Sequence, residues 1–138
     1  MLATLLAAFV LTSPSFAAGT PMPKASTCEG RNSSPALRWT APPRGTRAFA
    51  LVMDDTDARF RHWLGWGIAA SARGLAAGKR PPHEGTNSFG RHGYDGPCPP
   101  PGSQHHYVFR VYALDAKVGP PFTGHVLAVA RLVGTFQR

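Results

Sequence analysis

Prolines and glycines punctuate this chain densely, 14 and 15 of them in 138 residues, and the apolar runs between them are strand-length rather than helix-length. Ala36–Trp39 is stopped by Pro42-Pro43 and the turn at Arg44-Gly45. Ala48–Met53 is too short for a stable helix and reads as a strand buried on both faces. Between His62 and Ile68 the residues His62, Leu64, Trp66 and Ile68 alternate with Trp63, Gly65 and Gly67, the period of a further strand. Tyr107–Leu114 is the clearest strand, and Leu132–Phe136 closes the chain as another. Helix is confined to a turn within Ala69–Pro82 and a short segment at His125–Arg131, where Leu127, Ala128, Ala130 and Arg131 are helix formers. The fold expected is mostly β, an antiparallel sandwich with one or two short peripheral helices.

One segment resists this scheme. Pro81–Ser103 offers no convincing regular element, and so long an irregular stretch in a small domain is commonly functional. Phe89, Tyr94 and Cys98 give it anchors, so it reads as an ordered loop. A second polar feature follows the Ala48–Met53 run, where Asp54, Asp55 and Asp57 cluster at the strand end. Buried without partners they would be costly, so they belong to an exposed turn or to a polar site. His105 and Tyr107 stand two apart at a strand start and share a face, with His106 opposite. The three stretches are expected to converge on one pocket.

The length suits a single domain, and 43% hydrophobic against 16% charged residues implies a packed core. The net charge of +8 comes mainly from scattered arginines. No basic stripe or recognition motif accompanies it, so nucleic acid is not the expected partner, and the charge is a general bias that favours anionic ligands or surfaces. Leu2–Leu11 is uncharged, apolar and too short to span a bilayer as a helix. With Ser15 and Ala17 as small residues before a cut, residues 1–17 read as a signal peptide and 18–138 as the mature domain. No Lys or Arg precedes the apolar run. Export to the periplasm or beyond is expected, without a transmembrane segment. Cys28 and Cys98 are the only cysteines, read as a disulfide in an exported chain or otherwise as two buried thiols. Neither lies in a Cys-x-x-Cys motif, so neither structural zinc nor redox catalysis is expected.

Taken in order, Asp55-Thr-Asp57-Ala58, His62-Trp63, Asn87-Ser-Phe-Gly90, Gly93-Tyr-Asp-Gly-Pro-Cys-Pro-Pro100 and His105-His-Tyr107 resemble the motifs of the phosphatidylethanolamine-binding protein family. Asn32-x-Ser-Pro-Ala-Leu-x-Trp39 and the ending Gly124-His-Val-Leu-Ala…Leu-Val-Gly-Thr-Phe-Gln137 resemble its bacterial, Raf-kinase-inhibitor-like branch. The resemblance runs from about Cys28 to the C-terminus. It implies a Greek-key β-sandwich with a small anion-accepting pocket at one end. Its site residues would be Asp55, Asp57, His62, Gly96, Pro97, His105 and Tyr107, with Pro99 and Pro100 in the wall. The family's Asp-Pro-Asp-Ala-Pro is here Asp-Thr-Asp-Ala-Arg, so both positions with a ring-fixed φ are gone. The segment Lys117–Thr123 is also short by the family's pattern.

Residue chemistry suggests how carboxylates and anions would share such a pocket. An aspartate accepting a hydrogen bond from a histidine favours the protonated ring, whose other edge then donates to the ligand alongside the Tyr107 hydroxyl. Backbone N–H groups near Gly96 would add donors. The function expected is non-catalytic binding of small anions or phosphoryl and phospholipid head groups, with a possible role in regulating a partner protein. No cofactor or metal is expected. The alternatives are an Asp/His hydrolase and a secreted structural sandwich without ligand. No Gly-x-Ser-x-Gly or His-x-x-x-His pattern supports the hydrolase. His106 is expected at the surface, His83 and His92 in the loop, and His125 has no assigned role.

Overall fold

The computed structural model describes residues 7–138. Its strands are β1 (Leu11–Thr12), β2 (Leu37–Trp39), β3 (Ala48–Asp55), β4 (Phe60–Ala69), β5 (Gly74–Leu75), β6 (His83–Glu84), β7 (Gln104–Leu114) and β8 (Val126–Gln137). They form two antiparallel sheets, one ordered β1-β2-β5 and the other β6-β4-β3-β7-β8. β3 lies at the centre of the larger sheet, and all of Ala48–Met53 is buried, as a run apolar on both faces requires. Phe49, Leu51 and Met53 point at the smaller sheet and pack with Leu37, Trp39 and Leu75 in the core. Opposite them on β7 stand Ala113, Val111 and Phe109, and the next pair along the same row is Asp55 and Tyr107. The core row therefore runs straight into the candidate pocket.

β4 is less regular than its alternation suggests. Met53 pairs with Trp63 and Asp54 with Arg61, so His62 is an extra residue, a bulge. A second irregularity sets Trp66 and Gly67 together opposite Ala50, and Gly67 takes a φ of +77°. The alternation expected for His62, Leu64, Trp66 and Ile68 on one face is corrected accordingly. His62 and Trp63 are both buried, and Trp63 and Ile68, not Trp66, reach the core.

Helix is scarcer than expected. Among the described residues the only helical element is a 3-10 turn at Lys24–Ser26, and no helix is long and apolar enough to cross a membrane. His125–Arg131 is not a helix: from Val126 onward it is the first half of β8. β7 offers its full length for pairing, with partners from Gln104↔Gln137 to Leu114↔Val126. Tertiary pairing of that extent overrides the modest helix propensity of Leu127, Ala128 and Ala130.

Of the Leu2–Leu11 run, Leu2–Leu6 fall outside the described residues, and the rest is built into the fold. Leu11 pairs with Trp39, Phe16 lies 6.0 Å from Phe109, and both Leu11 and Phe16 are buried in the core. The chain then follows the outer edge of β8, with Gly19 donating to the Val133 carbonyl and Met22 to the Thr135 carbonyl. The cut expected after Ala17 thus falls inside packed structure and would remove two core side chains together with β1.

Candidate functional site

A cavity of about 150 Å³ opens where the ends of β3, β4 and β7 meet the Pro81–Ser103 loop, and Asp55, His62, His105 and Tyr107 all line it. These four come from three separate strands, β3, β4 and β7, as the sequence led us to expect. Phe60 and Phe89 supply apolar walls, with ring centroids 4.6 Å apart and 5.2 and 5.5 Å from His62. Pro99, Pro100 and Cys98 close the loop side.

Asp55 organises one wall. Its Oδ1 accepts the backbone N–H groups of Asp57 and Ala58 at 3.0 and 3.1 Å, which shapes the β3–β4 turn, and its Oδ2 meets His105 Nδ1 at 2.6 Å. Arg59 closes that turn at a φ of +52°, where the family's pattern has a proline. A proline ring could not adopt that angle, so the changed residue matches the changed turn. Asp55 is 4% exposed, and its buried charge is met by three hydrogen bonds.

The loop forms the other wall. His62 Nδ1 lies 2.6 Å from the Asp95 carbonyl, which can only accept, so this nitrogen carries the proton and Nε2 is the free one. Asp95 is a hub: Arg91 grips its carboxylate through Nε and Nη2 at 3.0 and 2.8 Å, and Asn87 and Asn32 donate at 2.7 and 3.1 Å. Burial works against its charge, but these hydrogen bonds outweigh it and hold the carboxyl below its usual range. The Cys28–Cys98 disulfide, Cα atoms 5.4 Å apart, ties the same loop to the N-terminal segment, and there is no free cysteine.

Burial pushes the His62 pKa down, with the Asp95 carbonyl and the charges of Asp55, Asp95 and Asp54 only partly opposing it. This corrects the expectation of a carboxylate-supported, protonated His62. The ring is held neutral against a carbonyl dipole. His105 does have the expected aspartate partner. The Tyr107 hydroxyl is buried and makes no hydrogen bond of normal geometry, and burial, then the charges of Asp55 and Asp57 and a weak contact with the Asp55 carboxylate, keep it protonated. An orphaned buried hydroxyl beside two imidazoles is a donor waiting for an acceptor.

Three sequence-predicted site residues lie elsewhere. Asp57 does not share a face with Asp55, because the segment is a turn rather than extended chain; its Oδ2 instead accepts the His106 backbone N–H at 2.6 Å and contacts His106 Nδ1 at 2.9 Å. Those hydrogen bonds hold Asp57 below the usual carboxylate range, and both side chains are on the exterior, as expected for His106. The N–H of Gly96 is spent on Asn32 Oδ1 at 2.6 Å, not held for a ligand. A Cβ there would sit 1.9 Å from the Ser26 carbonyl oxygen, so the glycine permits chain-to-chain contact. Pro97 is buried, and its carbonyl accepts the Cys28 N–H. Conversely, Phe60, Asn32, Arg91 and Asp95 carry parts of the site that the sequence did not assign. The signal for Asp95 was its place between Asn87-Ser-Phe-Gly90 and the loop cysteine. Among the described residues no three His, Cys, Asp or Glu side chains group to hold a metal.

The comparisons agree with this architecture. The chain is 38% identical to a UPF0098 protein of Aquifex aeolicus, over 91% of this chain and 86% of that one. It is 42% identical to LppC of Mycobacterium tuberculosis, named as a candidate lipoprotein, over 92% and 71%. Its fold is similar to that of Escherichia coli YbcL, with a TM-score of 0.87 at 29% identity over 96% of this chain and 99% of that one. A Chlamydia trachomatis homologue of phosphatidylethanolamine-binding proteins, CT736, gives 0.86 at 31% over 95% and 98%. The profile described as "Phosphatidylethanolamine-binding protein" matches residues 12–137, nearly the whole described sandwich, and the chain belongs to that family.

Proposed function

We propose that the cavity is a non-catalytic binding site for small phosphoryl anions, free or as the head group of a phospholipid. The observation that carries this reading is the set of polar edges left unspent. Both imidazoles are pinned through Nδ1, and the Tyr107 hydroxyl makes no hydrogen bond of normal geometry. A phosphoryl oxygen satisfies the hydroxyl. The neutral His62 Nε2 offers a lone pair and suits a ligand that also carries a donor, such as a monoprotonated phosphate or an ethanolamine ammonium. Asp55 already accepts three hydrogen bonds, about three of its four lone-pair sites, which favours an orienting role over that of a general base. A cavity of about 150 Å³ suits a head group and not a whole lipid. The disulfide and the likeness to LppC support a site of action outside the reducing cytoplasm. Calorimetric titration with phosphate and phosphoethanolamine is the test. Tyr107→Phe removes only the hydroxyl and should weaken binding about ten-fold, the worth of a hydrogen bond to a charged group. Unchanged affinity in both Tyr107→Phe and His105→Ala would sink the assignment.

A further inference from the structure

At the far end of β3 from the cavity, a groove of about 500 Å³ lies between β4, β6 and the segment after β7. Trp66 and His83 form its aromatic floor, with ring centroids 5.7 Å apart and planes 22° from parallel. The second bulge of β4 presents Trp66 here instead of to the core. Two glycines keep the floor open. A Cβ on Gly67 would lie 2.8 Å from His83 Cδ2, and one on Gly119 3.3 Å from Trp66 Nε1. Arg47 and Lys117 stand at the rim, and among the described residues neither joins an ion pair. No carboxylate lines the groove. Trp39 Nε1 donates to the Ala72 carbonyl and Trp63 Nε1 to Glu84, while Trp66 Nε1 has no partner among the described residues. The groove thus combines a flat aromatic surface with two unpaired cations, a free indole N–H and no competing acid.

We propose that this groove is a second binding site, selective for small planar aromatic anions, that is, aryl phosphates or aryl carboxylates. The ligand ring extends the Trp66–His83 stack, and its anionic group lies between Arg47 and Lys117. Ring and charge are both needed. An isolated anion meets two solvated surface cations of little worth, and a neutral ring lacks the charge contact.

The test titrates the full chain with phenyl phosphate and benzoate, and with inorganic phosphate, phenol and cyclohexanecarboxylate as their separated parts, followed by tryptophan fluorescence and ligand-observed NMR. In the binding that Arg47→Glu with Lys117→Glu removes, phenyl phosphate, benzoate or both should bind at least ten-fold more tightly than any of the three controls, the tighter one identifying the anion; phosphate held in the first cavity is insensitive to that pair. Arg47→Glu with Lys117→Glu alters only exposed side chains and should lower that affinity ten-fold or more. Trp66→Leu should abolish the aromatic preference, and His105→Ala should leave binding unchanged. Inorganic phosphate binding as tightly as phenyl phosphate, at the site lost in Arg47→Glu with Lys117→Glu, would overturn the proposal. So would benzoate no tighter than cyclohexanecarboxylate where benzoate is the ligand bound, an equal loss in His105→Ala, or no saturable binding of either aryl anion.

Discussion

The two walls of the cavity hold their histidines by the same nitrogen and with different chemistry. On the turn side, the Asp55 carboxylate meets His105 Nδ1, so that ring faces a full negative charge. On the loop side, the backbone carbonyl of Asp95 meets His62 Nδ1, and the Asp95 carboxylate is turned away into the loop's own network. One wall therefore spends its acid on the site and the other spends its acid on folding the loop. The difference teaches where mutations should divide. Changes on the loop side should cost mainly stability, and changes on the turn side mainly binding.

The loop wall should show the larger stability effects. The Cys28–Cys98 bridge joins residues 70 apart in sequence, and its loss in a Cys28→Ser, Cys98→Ser variant should cost about 4 kcal/mol in the chain-entropy account. Urea unfolding of oxidised protein and variant measures it. Asp95→Ala comes next. It strands Asn87 and Asn32, but Arg91 is 63% exposed and can return to water, so about 3 kcal/mol is expected, the low end for breaking a buried pair. Asp55→Asn keeps an oxygen for the turn N–H groups and loses only the His105 contact, so about 1 kcal/mol of stability should go. The affinity for phosphoethanolamine should fall more in Asp55→Asn than in Asp95→Ala protein that remains folded. The reverse ranking in calorimetry would break the comparison.

How legible this was depended on how local the cause is. β3 and β7 were readable because burial on both faces and aromatic alternation are written in consecutive residues. Asp55, His62, His105 and Tyr107 were readable through short motifs. The helix expected at His125–Arg131 failed because the pairing edge of β7 is a distant cause that no local propensity records. Asp57 failed for a related reason: whether two residues apart means one face depends on the turn that Asp55 itself creates. The bulge at His62 was hidden too, since alternation looks intact in the sequence while the register shifts between strands. Leu11 and Phe16 are the subtlest case, because an apolar run before small residues reads as a leader and the same residues serve as core.

The smallest effect sharpens the contrast between the walls most directly, because it concerns His62 alone. Burial lowers its pKa below the usual 6.5 in the fold, and the unfolded chain restores that value. Between the folded pKa and 6.5 the unfolded state therefore binds more protons than the native state. Stability is fully present above pH 6.5 and falls as the pH drops below it, by at most about 1.4 kcal/mol per pH unit for one group. The lowered carboxyls of Asp57 and Asp95 give up their share only near and below 3.8, so the two windows separate. In His62→Gln the side-chain amide can still donate toward the Asp95 carbonyl but cannot take a proton, so the variant should be less stable at pH 7.5 and lose less on going to pH 5.5. Denaturant unfolding at pH 7.5, 6.5 and 5.5 reads both slopes. Parallel pH profiles for wild type and His62→Gln would mean that burial does not hold His62 neutral, and the carbonyl wall would then differ from the carboxylate wall in geometry only.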